Sequence, residues 1–253
     1  MNKKIASFGD SFIFGWEMED NEAGEKTWPA LAAAELGVDH VRCSSPGVGN
    51  DRISTQVYEY YSNKQNHQDL AVINWTWTLR WDYYIFFDNW ETWTTFGPNQ
   101  KNPFTEGLGH EKIREIGKSW MPSFKNKLPE EKISHVKDTY DYFIKENQEY
   151  NKFRALQTIS SCNHFLKHHN IKSVQTFMDF EIFDKEWHCP PHINAIQDSI
   201  EPEMRNFNGD NFLNWSRKKG FAITEPGWHP LDDAHVAAAK LWVKEYQQIL
   251  NRD

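Results

Sequence analysis

Short runs that read as buried strands, separated by stretches of helical period, govern what this chain can fold into. Residues 5–8 are apolar or small and stop at Gly9-Asp10-Ser11. Thr27 then offers a helix N-cap, Pro29 sits in the first turn, and the helix continues from 31 to 36 and stops at Gly37. A second strand over 38–43 is closed by the loop Ser44-Ser45-Pro46-Gly47-Val48-Gly49-Asn50, and helical spacing follows over 52–61. Residues 70–75 give a third strand and 171–178 a fourth. Between them, 136–169 place apolar side chains three and four residues apart, as one long amphipathic helix or two joined ones. A helix over 212–219 ends at Gly220, a short fifth strand is expected over 221–224, and a helix over 232–250 closes the pattern. Strands alternating with helices predict a parallel sheet covered on both faces, an α/β sandwich.

Two stretches break the alternation. Residues 81–131 show no convincing period, and neither do 180–210; stretches of that size are expected to be functional covers or small subdomains. The 253 residues suit one domain, 1–253, carrying an aromatic-rich insertion over about 81–131. The aromatics concentrate there: Trp81, Tyr83, Tyr84, Phe86, Phe87, Trp90, Trp93 and Phe96. They can form a satellite core, present ring faces to a sugar or acyl chain, or do both.

Composition narrows the partners. A formal charge of -8 gives no basic field for a phosphate backbone, so nucleic acid is not expected as a partner. No apolar run approaches the roughly 18 residues that span a bilayer, and no membrane partner is expected. Cys43, Cys162 and Cys189 are too few and scattered for a disulfide framework. The apolar run at the N-terminus is too short for a signal peptide, so the expected compartment is cytoplasmic. The sequons at Asn74 and Asn214 then read as chance matches.

In an open parallel sheet, ligands bind beyond the C-terminal strand ends. Three loops at such ends carry chemistry: Gly9-Asp10-Ser11, the 46–50 loop, and residues 76–80. A fourth segment, Gly227-Trp228-His229-Pro230, precedes the last helix. A serine hydroxyl becomes a competent nucleophile when an imidazole takes its proton, and glycine loops let backbone N–H groups approach a developing oxyanion. The Gly-x-Ser-x-Gly elbow and the glycine-rich phosphate-binding fingerprints are absent from the sequence.

Phe8-Gly9-Asp10-Ser11-Phe12, the glycine-containing loop after the second strand, and His229-Pro230 near the C-terminus resemble the SGNH (GDSL-type) hydrolases. The resemblance implies a flavodoxin-like three-layer α/β/α sandwich. It implies Ser11 as nucleophile, His229 as base, and the N–H groups of Ser11 and Gly47 as oxyanion donors, with no cofactor. Two blocks depart from the family. Thr78 stands where the third block has asparagine; its hydroxyl, or the amide of Asn50, would supply the missing donor. The family's acid lies three residues before the histidine, where this chain has Pro226; Glu225, or a backbone carbonyl, would orient the imidazole instead. Residues Trp75, Thr76, Arg80 and Asp82 are similar to a pattern of a divergent branch, and Asp10, Thr76, Trp77 and Arg80 are expected to bind substrate.

Competing readings concern other histidines. His235 lies at a helical position beside Ala234 and is expected to pack or cap. His188, Cys189 and His192 are interrupted by Pro190 and Pro191 and have no regularly spaced fourth ligand, so no metal is expected. The expected function is a serine esterase acting on small O-acyl esters such as acetyl, on a small molecule or a carbohydrate. The alternatives are an inactive carbohydrate-binding or structural protein on the same fold, and an O-acyltransferase.

Overall fold

The computed structural model of the chain describes residues 3–21, 24–78, 80–87, 90–96, 147–225 and 228–251, with 83–87 and 90–96 described as backbone only. Its core is a parallel sheet of β1 (Lys4–Gly9), β2 (Asp39–Arg42), β3 (Leu70–Trp75) and β6 (Ser173–Phe177), in the order β2-β1-β3-β6. β1 is central, pairing Ile5 with His40 on one side and Leu70 on the other. β3 pairs with β6 from Ala71 opposite Ser173 to Trp75 opposite Phe177. The order reverses at β1, the switch point at which a doubly wound sheet opens a crevice beyond its strand ends.

The two faces of the sheet sort by alternation along each strand. Ile5, Leu70, Val72 and Val174 face a layer made by α2 (Trp28–Leu36), α6 (Phe212–Lys219) and α7 (Asp232–Leu250). That layer is cemented by Trp28, Phe207, Trp242 and Tyr246, with Trp28 edge-on to Phe207 at 5.7 Å. Ala6, Phe8, Ala71, Ile73 and Trp75 face the opposite layer, made by α3 (Asn50–Tyr61), α4 (Gln148–His168) and α5 (Pro191–Ile200). Each Val, Leu, Ile or Phe among them taken fully out of water contributes about 1.5–3 kcal/mol before the entropy of ordering the chain is counted. The three-layer α/β/α sandwich is thus present, in the flavodoxin-like strand order that the resemblance implies.

The structure departs from the sequence expectations in three places. No strand forms over 221–224; only an isolated antiparallel bridge joins Ile223 to Pro230, because this segment folds back on the His229 loop instead of joining the sheet. The start of the 81–131 insertion is ordered as an antiparallel hairpin, β4 (Trp81–Phe87) with β5 (Trp90–Phe96). Its strands are nearly continuous in aromatic and β-branched residues, and this two-stranded sheet is separate from the parallel one. The 180–210 stretch holds a helix, α5, entered through Pro190-Pro191. Residues 97–146, including the rest of the insertion and the expected start of the long helix, lie outside the described residues, as do the side chains of the aromatic cluster from Tyr83 to Phe96.

Asn74 is 2% exposed and its amide oxygen accepts a 2.8 Å bond from Thr176, so this sequon is closed to a glycan. Among the described residues no helix is long and apolar enough to cross a membrane.

Candidate active site

The nucleophile candidate is placed by a sharp strand-to-helix transition. β1 ends at Gly9, whose φ of +156° and near neighbours leave no room for a side chain: an added Cβ would sit 2.6 Å from Ile13 and 3.0 Å from the carbonyl of Asn74. Asp10 then caps the short helix α1 (Ser11–Phe14), its Oδ1 accepting from Phe12 N at 3.1 Å. Ser11 therefore occupies the first helical position, where its N–H has no acceptor within the helix. Its Oγ is buried and forms no hydrogen bond among the described residues.

His229 reaches the same place from the other end of the chain. Its ring lies 4.9 Å from that of Phe12, the residue after Ser11. The loop carrying it is pinned by Thr224: Thr224 N donates to His229 O at 3.0 Å, and His229 N donates to Thr224 Oγ1 at 3.0 Å. The Nδ1 of His229 lies 2.8 Å from a carboxylate oxygen of Glu17, which also accepts from the Thr224 hydroxyl. A carboxylate can only accept, so Nδ1 carries the hydrogen and the neutral ring keeps Nε2 as its acceptor. Glu225, expected to be the acid, is instead solvent-exposed.

Burial pushes the His229 imidazole below its ordinary value, against the opposing pull of the Glu17 bond and charge and of the Asp10 charge. Burial alone would raise the Glu17 carboxyl, but the Thr224 and His229 bonds and the His229 charge hold it below the usual range. The result is a neutral imidazole backed by a charged carboxylate. Glu17 itself has φ +66°, a left-handed backbone uncommon for a residue with a side chain. Nothing in sequence periodicity marks it. The available signals were an acid six residues beyond Ser11 and the empty acid position before His229.

Asp10, Thr76 and Arg80, expected to touch substrate, are buried and bonded to one another. Asp10 and Thr76 are fully buried and Arg80 is 9% exposed. Asp10 Oδ2 accepts from Thr76 Oγ1 at 2.7 Å and from Arg80 Nη1 at 2.8 Å. Arg80 also donates to Thr76 Oγ1 and to Val48 O. Burial lowers the Arg80 guanidinium, while the charges of Asp10 and Asp82 act to hold its proton. These groups form an internal scaffold beneath Ser11. Trp77 alone of the four is partly exposed; its ring packs at 5.5 Å on Phe12 and lies under the Arg80 guanidinium at 4.4 Å.

The donor candidates also separate. Gly47, φ +78°, follows Pro46 in a turn, and its N–H has no acceptor among the described residues. Asn50 is locked against the end of β3: Thr76 N donates to its Oδ1 at 2.9 Å and its Nδ2 donates to Thr76 O at 3.2 Å, leaving a second N–H. Thr78 does not fit the donor role. Its N–H and hydroxyl both donate to Asp179 Oδ2, at 2.9 and 3.0 Å, and its hydrogen is spent there.

The other histidines have separate partners. His235 Nδ1 accepts from Trp28 N at 3.0 Å, capping the start of α2 from another helix. Cys189 Sγ reaches Gln197, His188 reaches Gln148, and His192 packs edge-on to Phe153 at 5.8 Å. Gly227 lies outside the described residues.

Neither a protein-family model nor a curated protein sequence matches the chain. Solved structures similar to it include a carbohydrate esterase whose active site is described as having divergent catalytic and non-catalytic binding functions (14% identity, TM-score 0.49, 97% of this chain and 68% of that one). Another is a psychrotrophic esterase from Pseudoalteromonas sp., inhibited by monoethylphosphonate (12% identity, TM-score 0.47, 99% of this chain and 100% of that one). A third is a carbohydrate esterase family 2 enzyme with a carbohydrate-binding domain from Corynascus thermopiles (Myceliophthora fergusii), at 14% identity and TM-score 0.47 over 99% of this chain and 67% of that one.

Proposed function

We propose that the chain is a serine ester hydrolase of the SGNH type, acting on small O-acyl esters of the acetyl kind, with carbohydrate as the acyl carrier. The observation that carries this reading is the Glu17–His229 pair at 2.8 Å, with the imidazole against Phe12, the residue after Ser11, whose own hydroxyl is buried without a hydrogen bond among the described residues. In the proposed reaction Ser11 Oγ gives its proton to His229 Nε2 and attacks the ester carbonyl carbon. The resulting oxyanion is received by the N–H groups of Ser11 and Gly47, with the second N–H of Asn50 as a third donor. The carbonyl re-forms, the ester C–O bond breaks, and the imidazolium returns the proton to the departing alkoxide. Water, deprotonated by the same imidazole, then releases the acid and restores Ser11. Glu17 holds the ring in the required tautomer and offsets its positive charge. The carbohydrate part of the reading draws on partly exposed Trp77 and on Trp16, 47% exposed, whose main-chain N–H donates to Ser11 O at 3.1 Å.

Fluorophosphonate labelling followed by peptide mass mapping tests the reading. Label on Ser11 in the wild type, lost in Ser11→Ala together with hydrolysis of p-nitrophenyl acetate, is the expected result. A folded wild type that takes no label would overturn it and favour a binding protein on the same fold. An ester product formed with added alcohols, in place of free acid, would move the reading to acyl transfer.

A further inference from the structure

The main chain leaving the Gly47 turn is held by two anchors that come from neither its own strand nor its own helix. Helix α3 begins at Gly49, an N-cap residue with no side chain to cap with. Asp82, from the second position of β4, supplies that cap from outside: its Oδ1 accepts from Gly49 N at 2.7 Å and its Oδ2 from Arg52 N at 2.7 Å. A carboxylate at this helix start also meets the positive end of the helix dipole. One residue earlier, Val48 O accepts from Arg80 Nη1 at 3.2 Å, and the same nitrogen holds Asp10, the residue before Ser11. Contact on the Asp82 side is close. A Cβ built on Gly49 would fall 2.7 Å from Asp82 Oδ2 and 3.0 Å from the carbonyl of Arg80, so Gly49 is bare where the 80–82 main chain presses on it.

We propose that Asp82 and Arg80 are positioning residues for the oxyanion loop, fixing the main chain on the far side of Gly47 so that its N–H stays aimed at the ester. The inference rests on the hydrolase reading above and deepens it. The place left by the missing third-block asparagine is served by the segment that follows it, acting through the backbone of the second block. Arg80 ties the nucleophile turn to this loop, and Asp82 ties the loop to the root of the β4–β5 hairpin.

The test uses the full chain, p-nitrophenyl acetate as substrate, and the variants Asp82→Asn, Gly49→Ala and the double. Asp82→Asn keeps the size of the cap but loses its charge and one acceptor. Gly49→Ala keeps the carboxylate and pushes it away. Each is expected to lower kcat about 10- to 100-fold while KM moves less than about 3-fold, as when a donor to the transition state is displaced. The acid limb of the pH profile should stay in place, since neither change touches His229. The double should lose no more than the worse single, because both act on one contact. If Asp82→Asn does not fold, Gly49→Ala carries the same comparison. Wild-type kcat in the folded variants, a loss confined to KM, or losses that multiply would each overturn the proposal. Failure of the wild type to label at Ser11 is a separate result, and removes the hydrolase reading itself.

Discussion

Glu17 and His229, 212 residues apart in sequence, meet at 2.8 Å, and the Thr224 hydroxyl bonds the same carboxylate oxygen. The acid of the proposed triad therefore comes from the nucleophile's own side of the fold, a few residues beyond Ser11. Its reach is set by the turn that reverses the chain after α1, where Gly15 takes φ +77° and Glu17 takes +66°.

Removing that carboxylate has a predicted kinetic signature. Glu17→Ala should lower kcat by about 100-fold or more with little change in KM, since the imidazole loses its tautomer control and charge partner. Glu17→Gln should lose less, because an amide oxygen can still accept from Nδ1. The Glu17 charge raises the His229 pKa, so in Glu17→Gln the acid limb of kcat/KM should move to lower pH. An acid limb that stays put would mean that Glu17 does not act on the imidazole.

For the wild type, His229 is held below its ordinary value of about 6.5, and the base must be neutral to accept a proton. Activity should accordingly be full at neutral pH and fall only below about 6.5. The profile of kcat/KM measured downward from pH 8 checks this, and one flat to pH 4 counts against an imidazole base.

Thr78→Val separates a structural hydroxyl from an oxyanion donor. Asp179 would keep the N–H of Thr78 and that of Glu181 but lose the hydroxyl. The expected cost is about 1–2 kcal/mol in a urea titration, with kcat within about 3-fold of wild type. A large kcat loss at unchanged stability would return Thr78 to the oxyanion hole.

A half-buried histidine, His40, and a fully buried one, His235, both away from the chemistry, predict an acid-sensitive fold. Burial, with the charge of Arg42, holds His40 at about 4; burial, opposed by a bond to the Pro230 backbone, holds His235 at about 3. Between those values and about 6.5 the unfolded chain binds more protons than the folded one, so stability rises with pH. Their contribution is complete above about 6.5 and is lost progressively as pH falls toward about 4 and about 3. His235→Ala should cost about 1–3 kcal/mol at pH 7, by leaving Trp28 N at the start of α2 without its acceptor. It should also flatten the fall in melting temperature between pH 7 and 4. An unchanged slope would mean that His235 already titrates like an exposed ring.

The strands at 5–8 and 70–75, the helices before Gly37 and Gly220, and the nearness of the Gly-Asp-Ser turn to a late histidine, seen as the Phe12–His229 ring contact, were all legible in the sequence. Each is written in a local pattern: an apolar run, a cap, a stop, or a motif at a strand end. The three-layer sandwich followed because a parallel sheet must be covered on both faces. Segment 221–224 defeated that reading because a short apolar run cannot say whether it will join a sheet or fold back on a loop.

What only the tertiary structure decided is which polar groups share a site. Asp10, Thr76 and Arg80 were expected only to bind substrate, and the structure joins them in one buried network. Glu225 was near His229 in sequence and Glu17 was not, yet Glu17 holds the ring. Asp82 caps a helix whose own N-cap residue, Gly49, has no side chain to do so. Helices and the strands of the parallel sheet that carry a local pattern were determined by the sequence itself, whereas the hairpin over 81–96, the helix over 191–200 and the segment 221–224 were not. Ion pairs, caps supplied from another element, and the supports of a catalytic loop depend on groups within about 3 Å in space. Those partners are chosen by how the layers pack, which no local pattern encodes.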